Sequence, residues 1–200
     1  RRGEGQAHPT VQRFDPREGA KQPGFGAGTR PIGALCLTAD GRVLTGDWGE
    51  RLARSPAEPG GGHRDPDNVI RLWTAAGDVE RASWPGHEDA VTALAIAPDG
   101  RTAASGSRDR TVRIFGLGES GFRHVCAGHR GGVFDVAFSS DGSRLVSAGG
   151  DDRLLVWDVR AGALVGELAG HRDTVHAAAF APGLPLVFSG SEDTSVALWE

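Results

Sequence analysis

Serine, histidine and aspartate together are the residue types of nucleophilic hydrolysis: the imidazole takes the hydroxyl proton and the carboxylate orients the imidazole. Ser147, His129 and Asp151 supply the set. The same trio recurs as Ser105, His87 and Asp109 and again as Ser189, His171 and Asp193, each member displaced by 42 positions. An active site needs one nucleophile held in one place, so a trio stamped out with the chain reads as scaffold, and no enzyme activity is expected of it. The histidines fall one to a repeat and none has a close-spaced partner of zinc type, so no metal site is expected. His63 follows a glycine run and reads as solvated. "GFGAG" at 24–28 has no lysine closing it, no strand before it and no helix after it, and reads as linker, not as a phosphate loop. Arg108, Arg110 and Arg113 enclose Asp109 and read as the solvated edge of a hairpin. No cofactor is expected.

The elements that carry these residues follow the same interval. Asp67, Asp109, Asp151 and Asp193 are 42 apart, and so are Trp73, Phe115, Trp157 and Trp199. Gly86-His87, Gly128-His129 and Gly170-His171 repeat likewise. Each unit reads as four short strands and contains no helix-length amphipathic stretch. The first strand is "AVTALAIA", "GVFDVAFS" or "TVHAAAFA", and tight turns at Asp99-Gly100 and Asp141-Gly142 lead to the second. Large apolar residues in the first strand are spaced three and then two: Ile32, Leu35, Leu37; Val91, Leu94, Ile96; Val133, Val136, Phe138. A regular strand alternates by two, so one extra residue predicts a β-bulge that re-aims the side chain between. The first unit is longer. Asp40 to Trp73 spans 33 residues against 16 from Asp99 to Phe115, which places an insertion at 48–66, rich in Pro and Gly and read as a surface loop.

A four-stranded unit with Gly-His near its start and Trp-Asp near its end resembles the WD-repeat family of β-propellers. The resemblance implies an all-β fold of about four four-stranded blades, part of a larger, seven-blade type of propeller. Residues 1–30 read as a Gly-rich N-terminal segment. Blade 1 is 31–84 with the 48–66 insertion, blade 2 is 87–126, blade 3 is 129–168 and blade 4 is 171–200. In the family a buried hydrogen-bond relay links the turn Asp, the His of Gly-His, a Ser or Thr of the second strand and the Trp of the third. Here the resemblance implies Asp151, His129, Ser147 and Trp157 in blade 3, and Asp193, His171, Ser189 and Trp199 in blade 4. Blade 2 has Asp109, His87 and Ser105, but Phe115 lacks an N–H, so its relay stops one link short. Blade 1 has Asp67, Thr45 and Trp73, with Gly28 where His is expected.

The resemblance also implies that loops at one face meet partners. The candidates are the residues just past the first apolar position of the innermost strand, Thr92, Phe134 and His176. To these are added Arg108 and Glu192, which precede turn aspartates, and Trp48 at the edge of the insertion. The last unit stops after its third strand, and "TVQRF", Thr10 to Phe14, is the candidate for its outer strand. Four blades in an unclosed arc leave apolar faces in water, so further blades are expected from a longer chain or from elsewhere.

Composition narrows the class of partner. The formal charge of -4 gives no nucleic-acid footprint, and Lys21 is the single lysine. Two cysteines, Cys36 and Cys126, fit a reducing compartment, and no stretch approaches a membrane span. The expectation is an intracellular protein, cytoplasmic rather than nuclear. It serves as a non-catalytic interaction scaffold that holds proteins or peptides within a larger complex, without nucleic acid or membrane insertion. Two alternatives stand beside it. "GGDDRLLVWD" and "APGLPLVFSGSEDTSVALW" are similar to blades of the β′ subunit of coatomer, which implies a membrane-traffic coat subunit recognising cargo tails. A regulatory propeller of a larger enzyme is the other.

Overall fold

The computed structural model describes residues 11–14, 17–25, 31–48, 68–74 and 80–200. Every regular element among them is a strand. Four antiparallel sheets follow one another along the chain. The first holds β3 (Ile32–Leu37), β4 (Val43–Asp47), β5 (Ile70–Trp73) and β6 (Glu80–Trp84). The second holds β7 (Val91–Ile96), β8 (Thr102–Ser107), β9 (Thr111–Gly116) and β10 (His124–Ala127). The third holds β11 (Val133–Phe138), β12 (Arg144–Gly149), β13 (Arg153–Asp158) and β14 (Ala163–Ala169). The fourth stops at three strands, β15 (Val175–Phe180), β16 (Val187–Ser191) and β17 (Val196–Trp199). Within each sheet the strands lie in chain order, as short hairpins dictate.

Local chemistry sets the turns. Gly41, Gly100 and Gly142 have φ of 81°, 64° and 71°, the left-handed region that a side chain resists. At the second of these turns the Asp99 carboxylate accepts the N–H of Arg101 at 2.7 Å and the N–H and hydroxyl of Thr102, both at 2.8 Å. The turn before each third strand carries a left-handed residue that is not glycine. Asn68, Arg110, Asp152 and Thr194 have φ of 67°, 73°, 64° and 70°, again at the 42-residue interval. Side chains resist this region, and in the second and fourth sheets the neighbouring turn carboxylate braces it. Asp109 accepts the N–H of Thr111 at 2.9 Å and Asp193 that of Ser195 at 2.9 Å, each closing the loop over the strained residue.

The three-then-two spacing produces bulges. The pairing register skips between Ile32 and Ala34, Val91 and Ala93, Val133 and Asp135, and Val175 and Ala177. The unpaired residues are therefore Gly33, Thr92, Phe134 and His176.

Apolar residues of consecutive sheets fill the joints between them. Leu44, Ile70, Leu72 and Trp84 pack on Val91, Ala103, Phe115 and Leu117. Ala104, Val112, Ile114 and Cys126 meet Val133, Val136, Leu145 and Trp157. Val146, Ala148 and Leu154 meet Val175, Ala178 and Val187. Both cysteines are free thiols, and burial pushes Cys126 up to about 11. Polar ties cross the same joints: Thr92 Oγ1 donates to the Val133 carbonyl, and Asp135 Oδ2 accepts the Ala178 N–H at 2.9 Å.

The N-terminal strand pairs elsewhere than expected. β1 (Val11–Phe14) lies antiparallel to β2 (Lys21–Phe25) in a separate two-stranded sheet and does not supply the outer edge of the last sheet. A partner a few residues away costs little loop entropy, whereas pairing with β17 would close a loop spanning almost the whole chain.

Candidate functional site

The trio geometry is the same in three sheets. His87 Nδ1 lies 2.7 Å from Asp109 Oδ2 and its Nε2 lies 2.8 Å from Ser105 Oγ. His129 makes the corresponding contacts to Asp151 and Ser147, both at 2.8 Å. His171 does the same to Asp193 and Ser189, both at 2.8 Å. Trp157 Nε1 then donates to Ser147 Oγ at 2.9 Å, and Trp199 Nε1 to Ser189 Oγ at 2.8 Å.

Donor inventory fixes the direction of the relay. An indole N–H only donates, so the serine oxygen accepts from Trp; where the ring is neutral with its proton on Nδ1, Nε2 accepts the serine proton. A carboxylate only accepts, so the ring's Nδ1–H donates to it. Burial holds His87 and His129 below the usual imidazole value, against the pull of Asp109 and Asp151, which keeps them neutral. Burial by itself would raise the Asp109 carboxyl; hydrogen bonds from His87 and Thr111 outweigh it, and the group lies far below its ordinary range. Asp193 is held low by the Ser195 hydroxyl and the Arg172 N–H. Ser105 and Ser147 are 0% exposed, and no substrate reaches a hydroxyl so enclosed. The trios pin each inter-strand turn to its own sheet.

The incomplete units differ as their residues require. In the second sheet Phe115 offers no N–H, and Ser105 has the His87 ring as its side-chain partner. The Phe115 ring packs 4.8 Å from Trp84 and edge-on to Phe122 at 5.7 Å. In the first sheet Trp73 Nε1 donates to Thr45 Oγ1 at 2.9 Å, and Arg71 Nη1 lies 2.7 Å from both oxygens of Asp47. Asp67, Gly28 and residues 49–66 of the insertion lie outside the described residues.

One expectation about the arginines is corrected. Arg113 is not at a solvated edge: its side chain is 13% exposed, its guanidinium stands 4.7 Å over the Phe122 ring, and Nη2 donates to the Gly86 carbonyl at 2.6 Å. Its position two residues before Phe115 on β9 turns it inward across the strand, a direction its charge alone does not reveal.

The bulged residues and their neighbours form a continuous band at the end of the sheets where the trios lie. Trp48 folds back on the first sheet, its backbone N–H donating to the Pro31 carbonyl at 2.7 Å. Its ring covers Gly33, where a Cβ would stand 2.8 Å from the indole. Gly33 is the bulge residue of the first sheet, so Trp48 occupies the place that Thr92, Phe134 and His176 hold in the others. Arg108 lays its guanidinium 4.3 Å over the Trp48 ring and backs onto Gly132. Gly132 accepts the Gly150 N–H at 2.8 Å, and a Cβ at Gly150 would stand 3.0 Å from the Phe134 ring. Phe134, half-buried, meets His176 with ring centroids 5.0 Å apart, and His176 Nε2 lies 2.6 Å from Glu192 Oε1. His176 and Glu192 border a shallow cavity of about 370 Å³ with Thr194 and Val196. Thr92 is drawn into the joint, its hydroxyl proton shared between the carbonyls of Gly106 and Val133, and stands apart from the aromatic band. Sequence reasoning missed Gly33 and its pairing with Trp48; the signal was a glycine at the one register position that carries a side chain in every other unit.

Four-stranded antiparallel sheets joined through apolar faces, each with a turn pinned by the same polar relay, define a repeat protein of blade-like units. Residues 79–116, 121–158 and 162–200 match the WD40 family, described as WD domain, G-beta repeat, and the chain belongs to that family. No curated protein matches it.

Proposed function

We propose that this protein is a non-catalytic interaction module whose band of Trp48, Arg108, Phe134, His176 and Glu192 receives a protein or peptide partner. The observation that carries the reading is a contrast between two sets at the same end of the sheets. The His, Ser and Asp of the relay recur unchanged in three sheets, with the imidazoles and serine hydroxyls buried, while the band residues differ from sheet to sheet and are half-buried or exposed. A repeated framework supplies rigidity, and the residues that differ are free to specify a partner. WD40 domains in general bind proteins or peptides, and this supports the assignment. Aromatic anchors beside an arginine suit the small group of residues that dominates interface energy.

Selection of peptides from a random display library against the purified protein tests the reading. Selected binders are expected to lose affinity on Phe134→Ala and on Trp48→Ala, and to retain it on substitution of exposed Leu164 at the far strand β14. Binders indifferent to both band substitutions would place the partner surface elsewhere.

A further inference from the structure

Arg42, Arg71, Arg123, Arg144 and Arg153 each hold a carboxylate at salt-bridge distance. Arg108 is held differently. Its stem backs onto Gly132, where a Cβ would stand 3.2 Å from Arg108 Cα and 3.5 Å from its Cγ, and its guanidinium lies 4.3 Å over the Trp48 ring. The residue is exposed, and among the described residues no carboxylate pairs with it. A guanidinium carries its five N–H donors in its own plane and none on its face. Stacking on the indole therefore occupies the face and leaves the donor edge unspent. Next to Arg108 the surface drops to bare main chain. The Gly150 N–H donates to the Gly132 carbonyl at 2.8 Å, and a Cβ at Gly131 would stand 2.5 Å from the Gly150 carbonyl carbon, so the two loops touch backbone to backbone. On the far side stands the Phe134 ring, 3.0 Å from where a Cβ at Gly150 would lie. Gly132, Gly150 and Phe134 are all half-buried, so this floor and its aromatic wall reach the surface.

We propose, resting on the reading that this band receives the partner, that the partner is a peptide segment with an Asp or Glu side chain a few residues from an apolar one. The carboxylate takes the free edge of Arg108, the apolar side chain lies on Phe134, and the peptide backbone crosses Gly132 and Gly150. A planar fork matches a carboxylate through two parallel bonds, and a stacked guanidinium is already ordered, so less freedom is lost on binding. A floor without side chains lets another main chain approach closely. The acidic groups around it are already engaged. Asp109 bonds to His87 and Thr111, Asp151 bonds to His129 and lies 2.9 Å from Arg153, and Glu192 lies 2.6 Å from His176. One stacked cation balances one carboxylate; a phosphate, with a charge of about -2, would be left half unmatched beside these carboxylates.

An array of synthetic octapeptides tests this on the purified protein. The peptides place Glu one, two or three residues from Leu or Phe in a Ser-Gly background, beside copies with Gln, phosphoserine or Lys in place of Glu. Affinities of the bound Glu peptides and their copies are then measured by fluorescence anisotropy. Gln is expected to weaken binding ~tenfold or more, because it forfeits charge-assisted bonds. Arg108→Lys keeps the charge without the fork and is expected to fall between wild type and Arg108→Ala. Arg108→Glu is expected to invert the preference, binding the Lys copy above the Glu peptide, a result that damage to the fold does not produce. Arg108 is exposed, and unaltered circular dichroism checks that the variants fold. Phe134→Ala is expected to weaken the Glu peptides as well. Peptides that need Phe134 yet bind equally with Glu and Gln, that prefer phosphoserine, or that ignore Arg108→Glu would overturn the acidic assignment and leave the band standing as the partner surface. Glu peptides indifferent to Phe134→Ala, or an array with no Glu peptide bound above its Gln copy, would overturn it too, while the random library tests the band by itself.

Discussion

The relay makes an internal comparison possible between Ser147→Ala and Ser105→Ala. Ser147 Oγ satisfies two buried ring nitrogens, Trp157 Nε1 at 2.9 Å and His129 Nε2 at 2.8 Å. Ser105 Oγ satisfies one such nitrogen, His87 Nε2 at 2.8 Å, because Phe115 stands in the indole's place. Both serines are 0% exposed and Trp157 is 1% exposed, so water does not replace the lost oxygen. Leaving a buried polar group unpaired costs about 1–3 kcal/mol. Ser105→Ala should therefore cost about 1–3 kcal/mol, and Ser147→Ala about 2–6 kcal/mol. The excess of about 1–3 kcal/mol is the indole N–H, equivalent to roughly 2–12 °C in Tm for a chain of this size. Ser189→Ala should fall between the two, since Trp199 is only half-buried in a sheet that lacks a fourth strand. Urea unfolding followed by tryptophan fluorescence and by circular dichroism measures the difference. If Ser105→Ala proves as costly as Ser147→Ala, the indole is not a working member of the relay.

The relay also sets a pH dependence. His87 and His129 have folded values below the ordinary imidazole value, so the unfolded chain binds more protons as pH falls through ~6.5, and stability declines below that point. The lowered carboxyls of Asp109, Asp151 and Asp193 add a second loss below pH ~4, so a Tm that holds level or rises from pH 7.5 to 5 would contradict neutral relay histidines. Asp135 has the opposite sign: burial raises its carboxyl, so its ionised form weighs against folding as pH rises through the folded value. Asp135→Asn keeps one acceptor for the two N–H groups of Val136 and Ala178, so it should start below wild type near pH ~4 and the gap should narrow toward pH ~7 in parallel melts. Gly149→Ala should cost ~1–3 kcal/mol, because the added Cβ would stand 2.4 Å from both His129 Nδ1 and Asp151 Oδ1. Gly118, with nothing within 4 Å, supplies the neutral alanine control in the same denaturation series.

What could be read from residues alone was whatever is local or periodic. The strands, the glycine turns and the bulges follow from hydrophobic spacing and turn chemistry within a few residues. The interval of 42 announced that the trios at Ser105, Ser147 and Ser189 are copies, and the geometry shows each copy buried and engaged in the same bonds. The missing N–H of Phe115 needed only a knowledge of side-chain donors. Other features were decided by contacts between sheets, whose partners lie far apart in the chain. Thr92 bonds to Val133 across 41 residues, and the Trp48 ring fills the space over Gly33 and meets Arg108 in the next sheet. The inward turn of Arg113 depends likewise on Phe122 arriving beneath it. β1 paired with β2 and left β17 open because loop entropy favours the near partner, a competition that a strand's own residues do not express. Periodicity determines which residues are framework; only packing of sheet on sheet determines which of the remaining side chains meet one another.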